Sequence, residues 1–245
     1  MRALRLAAIL VLMLMPAAAS SVKARARSDA GPPGLFDFYL LSLSVAPSFC
    51  AASPANRARA ECRALTVAEY RETPLTVHGL WPNRAGVSVN LQPQDCDGPH
   101  FAPPSPTQTA ELARYMPGGE GLLRHEWRRH GACSGISSSD YVAALLRLAG
   151  QADAIIGPAL RDGGMLGRAV PTPDLLHAVA ARDPAWAAAT VVDCRRGRGG
   201  GPVMIAEIRV TFGKDFAPIP ARSVGLGQNS GCPREGGFLP AGPLP

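Results

Sequence analysis

The segment His125-Glu126-Trp127-Arg128-Arg129-His130 places five ionisable residues in six positions. On a helix, His125 lies four residues before Arg129 and Glu126 four before His130, so two pairs occupy adjacent stripes of one face. Imidazoles that titrate near neutral pH, a carboxylate and a guanidinium are a set suited to general acid–base chemistry on a group with developing negative charge. Zinc chelation of the H-E-x-x-H kind needs histidines four apart. His125 and His130 are five apart, about 140° around a helix of 3.6 residues per turn, which excludes that geometry. Trp127 points off the polar face and reads as a core anchor.

A second stretch, Leu75-Thr76-Val77-His78-Gly79-Leu80-Trp81-Pro82, is a strand pattern with one histidine among apolar residues, halted by proline. Taken alone, His78 reads as a satisfied polar group and Trp81 as core.

The elements that must position these residues form an irregular mixture. Phe36 to Val45 alternates Leu and Ser as a strand with one buried face, ended by Pro47. A polar loop joins Cys50 to Cys62, and Leu65 to Arg71 is a brief helix. Residues 83 to 106, rich in Pro, Gly, Gln and Asp, read as a long surface loop. Helices are expected over Thr107–Tyr115, over Leu122–His130 with Gly131 closing it, from an N-cap at Ser139 through Leu148, and over Asp174–Ala181. Ala189–Cys194 and Val203–Phe212 alternate as a hairpin around a glycine-rich connection, not a phosphate cradle, since no helix follows it. The order implies α+β, with a largely antiparallel central sheet flanked by helices.

The ends and the cysteines set the compartment. Met1-Arg2-Ala3-Leu4-Arg5, an apolar run from Leu6 to Met15 and then Pro16-Ala17-Ala18-Ala19 follow the order of a secretory signal, with cleavage expected after Ala19. The run is shorter than the roughly 20 residues that cross a bilayer, so no membrane anchor is expected after cleavage. Residues 20–35 read as a flexible lead-in, 36–234 as one catalytic domain, and 235–245 as a loose tail. Cys50, Cys62, Cys96, Cys133, Cys194 and Cys232 are an even set in an exported chain, which points to disulfides and to the periplasm or the medium. No two of them have zinc-site spacing, and 15 pairings remain open. The formal charge is +6; without Arg2 and Arg5, 23 basic residues face 19 acidic ones, a modest excess of +4 compatible with a polyanionic partner. Lys23 and Lys214 are the only lysines. No feature points to an oligomer, so a monomer is expected.

Together, LTVHGLWP at 75–82 and HEW-x-RHG-x-C at 125–133 resemble the two active-site segments of the ribonuclease T2 family. Residues 38–50 resemble its first strand and cysteine, Ala206 to Val210 its late central strand, and the likeness runs from about Phe36 to Cys232. The resemblance implies a disulfide-stapled endoribonuclease acting on single-stranded RNA without metal or cofactor, with low base specificity, through a 2′,3′-cyclic phosphate. His130 would be the base and His78 the acid, roles that could be exchanged; His125 would contact the phosphate. Glu126 and Arg129 would polarise the phosphoryl group, and Trp81 and Asn83 would meet a base. Because the 2′-OH is the nucleophile, DNA should be inert. Arg129 stands where the family usually has lysine, a change that the scarcity of lysine in this chain accounts for. Some members carry an acidic residue at Asn83, which leaves base preference open. The resemblance also implies the pairs Cys50–Cys62, Cys96–Cys133 and Cys194–Cys232, the second stapling the long loop to the histidine helix. His100 and His177 match no catalytic position. An inactive RNA-binding homologue and a metal-dependent hydrolase are the alternatives.

Overall fold

A computed structural model describes residues 32–197 and 201–244; the signal segment and most of the expected lead-in lie outside the described residues. The chain runs β1 (Phe38–Val45), α1 (Ala46–Ala51), α2 (Pro54–Arg57), α3 (Ala60–Ala64), α4 (Val67–Glu72) and β2 (Leu75–Asn83). It continues through α5 (Pro106–Tyr115), α6 (Gly119–Arg129), α7 (Ser138–Arg161), β3 (Arg168–Val170), α8 (Thr172–Ala180) and α9 (Pro184–Ala189). It ends with β4 (Thr190–Arg196), β5 (Val203–Phe212), β6 (Asn229–Ser230) and β7 (Gly237–Leu239). The fold is α+β, and its main sheet has the order β2-β1-β5-β4-β6. The β2-β1, β1-β5 and β5-β4 pairs are antiparallel, with short parallel pairings of β6 on β4 and β7 on β5.

The core lies between this sheet and the helices. Leu41, Leu43 and Val45 of β1 and Ile208 and Val210 of β5 join Tyr141, Leu145, Leu148 and Ile156 of α7 in one buried cluster. Alternation along β1 predicts one buried face, yet both faces are covered, because Phe38 and Leu40 pack under Val224 on the other side. Helix α7 is capped by Ser137, whose Oγ accepts from the Asp140 amide, two residues before the expected cap. No helix among the described residues is long and apolar enough to cross a membrane.

Several boundaries differ from those expected. The expected polar loop between Cys50 and Cys62 is instead spanned by three short helices, with Cys50 in the first and Cys62 in the third, and the first two have proline in their first turn. Pro82 does not stop β2, which continues to Asn83; β2 is an edge strand, where a missing N–H costs no ladder bond. The tail from 235 is not loose over Gly237–Leu239: these residues pair with β3 and β5, Leu239 is fully buried, and Tyr70 donates to the Pro240 carbonyl. The end of the expected lead-in is tied down as well, with the Gly34 amide bonded to the Cys133 carbonyl. The three disulfides are Cys50–Cys62, Cys96–Cys133 and Cys194–Cys232.

Candidate active site

Strand β2 supplies His78 through an irregularity. Ser42 of β1 pairs with Gly79 and Leu43 with Val77, so His78 is the extra residue of a β-bulge. In an unbroken strand, residues three apart such as His78 and Trp81 face opposite sides. The bulge shifts the alternation by one position. Leu75, Val77, Leu80 and Pro82 are buried, while Thr76, His78, Trp81 and Asn83 are all half-exposed on the open face. The free edge of β2 is held by Tyr141 of α7, whose hydroxyl donates to the Leu80 carbonyl at 2.6 Å and accepts from its amide at 3.3 Å.

Helix α6 supplies the carboxylate. Glu126 is 3% exposed and accepts from the Trp81 indole Nε1 at 2.8 Å. Its other oxygen, Oε1, lies 3.7 Å from His78 Nε2 and 4.0 Å from His125 Nε2. The Trp81 ring stands between the two principal histidines, edge-on to His78 at 5.1 Å and tilted to His130 at 5.2 Å. This approach depends on Gly79, because a Cβ there would collide with the indole nitrogen and come 2.7 Å from Glu126 Oε2.

His130 is not the last residue of α6, as its spacing implies, but its C-cap, with φ −131° and ψ −50°. Its amide still bonds to the Glu126 carbonyl at 2.8 Å, and its ring leaves the helical stripe for Trp81. A ring N–H donates to the Pro93 carbonyl. Arg129 lies beside it at the rim, ion-paired with Asp95, whose amide bonds to the Arg129 carbonyl at 2.8 Å. Pro93 and Asp95 belong to the loop that Cys96–Cys133 ties to the end of α6. A Cys96→Ser/Cys133→Ser variant is therefore expected to lose about 4 kcal/mol of stability, from a loop of this length, together with most of its activity. Urea denaturation checks the first effect, and unchanged stability would show that the loop is held by other contacts.

The two histidines are tuned in opposite directions. Burial works against a charge on His78, but a carboxylate 2.7 Å from Nδ1, that of Glu207, and the nearby Glu126 outweigh it and raise its pKa above 6.5. For His130, burial together with the charges of Arg129 and His78 outweighs the Pro93 carbonyl and brings the pKa down to about 4. A cleft of about 400 Å³ opens beside His78, lined also by Phe49, Thr76, His125 and Glu126.

The structure thus brings His78, Trp81, His125, Glu126 and His130 together, with Arg129 at the rim and Asn83 farther along the same strand face. Trp127 is buried against Tyr141. The residues missed in the sequence are Glu207 and Arg209 on β5, Asp95, and the Pro93 carbonyl. The signal for the first two was present in Ala206 to Val210, where two charges alternate within an otherwise apolar strand. Among the described residues, no group of three or more His, Cys, Asp or Glu is arranged to hold a metal ion.

Known proteins share this fold. The crystal structure of ribonuclease NT in complex with 5′-AMP has the same fold, with a TM-score of 0.60 and 19% identity over 84% of this chain and 98% of that one. A ribonuclease of Aeromonas hydrophila is 32% identical over 137 residues, 56% of this chain and 54% of that protein, so the match spans about half of that relative. Ribonuclease I of Escherichia coli is 29% identical over 251 residues, covering 89% of this chain and 90% of the relative. The model of the ribonuclease T2 family matches residues 36–221, and the chain belongs to that family.

Proposed function

We propose that the protein is an exported endoribonuclease that cleaves single-stranded RNA without a metal, by transphosphorylation to a 2′,3′-cyclic phosphate. The observation that carries this reading is the different second partner of each histidine. His130 gives one N–H to a neutral carbonyl and is held uncharged, which leaves its other nitrogen free to accept a proton. His78 gives Nδ1–H to a carboxylate, which raises its pKa above the ordinary histidine value and so favours a proton on Nε2 at the cleft. One base and one acid, ready together, are what the reaction needs.

His130 takes the proton of the ribose 2′-OH, the 2′-oxygen attacks phosphorus, and the bond from phosphorus to the 5′-oxygen breaks. His78 protonates that departing oxygen, leaving a cyclic phosphate on one fragment and a 5′-hydroxyl on the other. Arg129 offers positive charge and His125 a ring contact to the non-bridging oxygens, and Glu126 orients Trp81 through its bond to the indole. Stacking on the indole, worth about 1–3 kcal/mol, tolerates any base, which fits low specificity, with Asn83 beside it. DNA lacks the nucleophile and is expected to be inert. The basic, apolar and small-residue order of the leader and the three disulfides support export to the periplasm or the medium.

The pH dependence of kcat/KM tests the assignment. The base works unprotonated, so activity should rise as pH passes about 4, the value for His130. The acid works protonated, so activity should fall only above the ordinary histidine value of 6.5, where His78 loses its proton. A profile that falls between pH 5 and 6, or shows no basic limb, would contradict it.

A further inference from the structure

We propose that Glu207 is a positioning residue for RNA cleavage: it fixes the tautomer and charge of His78, and Arg209 limits the strength of its hold. The proposal rests on the ribonuclease reading, and its experiment separates the two. Glu207 stands on β5, two strands away from β2; Ser44 of β1 pairs with Glu207 on one side and with Thr76, two residues before His78, on the other. Its Oε1 is 2.7 Å from His78 Nδ1. Its Oε2 accepts from Arg209 Nε at 2.8 Å and from Nη2 at 2.6 Å. Behind Arg209 lies Asp193 of β4, 1% exposed, 3.5 Å from Nη2 and bonded also to Arg195 Nε at 2.8 Å and Ser230 Oγ at 2.7 Å. Each carboxylate oxygen of Glu207 therefore has one partner residue, a histidine on one side and an arginine on the other.

This is more than sheet stabilisation, because the bond determines which nitrogen of His78 meets substrate. With Nδ1 committed to Glu207, the proton left for transfer is on Nε2, which faces the cleft and is too far from Glu126 Oε1, at 3.7 Å, to be bound by it. The charges acting on His78 are Glu207 and Arg209 from β5 and Glu126 from α6; the other titratable side chains nearby are His125, on the far side of Glu126 Oε1, and His130 beyond the end of α6. Glu207 is itself kept ionised, since its partners His78 and Arg209 overcome its burial and hold its pKa at about 2. Arg209 draws on the same carboxylate and opposes the charge on His78, so the two β5 residues act on it in opposite senses.

The geometry therefore predicts opposite outcomes for two substitutions. Glu207→Gln keeps an acceptor oxygen but removes the charge, and should move the basic limb of kcat/KM to lower pH by about one unit. Arg209→Met should move the same limb to higher pH. The acidic limb, set by His130, should stay in place in both. NMR titration of the His78 ring in each folded variant reads the same shifts without any turnover. Shifts of opposite sign support the proposal. A His78 titration and basic limb that match wild type in both variants, or that move in the same direction, overturn it and leave Glu207 a structural ion-pair partner. If the wild-type protein did not cleave RNA, the ribonuclease reading would fall, while the NMR titration would still decide whether Glu207 controls His78.

Discussion

Replacing either His78 or His130 by alanine is expected to lower kcat on single-stranded RNA about 10²–10⁴-fold, the range contributed by a general acid or base. The double variant should lose little more than the worse single one, because acid and base act in one concerted transfer and their effects are not additive. The roles can be told apart by the limb that disappears. His130→Ala should remove the acidic limb and His78→Ala the basic one. Folding should be largely unaffected for His78, whose side chain is 40% exposed. A measured loss below tenfold in either variant would mean that the other groups carry the reaction.

The second large effect is expected at a residue with no chemistry of its own. Gly79→Ala adds one methyl group where the Trp81 indole and the Glu126 carboxylate already fill the space. Trp81 must then move, which breaks its bond to Glu126 and shifts the surface that separates His78 from His130. A displacement of about 1 Å in such a set can cost on the order of 10² in rate. Turnover measured beside a thermal melt checks this: a large loss of kcat should accompany only a modest loss of stability. Wild-type turnover in the Gly79→Ala protein would show that the indole is not held in the way described.

The two histidine segments were legible because their residue types are rare and their order is specific. The α+β class and the antiparallel hairpin followed from periodicity, as did Trp127 in the core. Their mutual geometry was not legible. Period-two reasoning has no place for an inserted residue, so it could not show that a bulge at His78 brings Trp81 to the same face. Helical spacing likewise placed Glu126 and His130 on one patch. The chain leaves the helix at His130, and its ring is set by the Pro93 carbonyl and Trp81 instead. Arg129 looked central in sequence and lies at the rim, because Asp95, 34 residues earlier, draws its guanidinium outward. Glu207 is 129 residues from His78, and only strand order makes them neighbours. The same long-range pairing explains β7, whose few apolar residues gave no strand signal but fill a gap beside β5.

The most direct test of the account is a single digestion of single-stranded RNA, with and without EDTA, followed by analysis of the fragment ends. The expected result is equal cleavage in both, with 2′,3′-cyclic phosphate on one end, 5′-hydroxyl on the other, and no cleavage of a DNA strand of the same sequence. Cleavage abolished by EDTA, or fragments that carry 5′-phosphate ends, would contradict a reaction carried by His78 and His130.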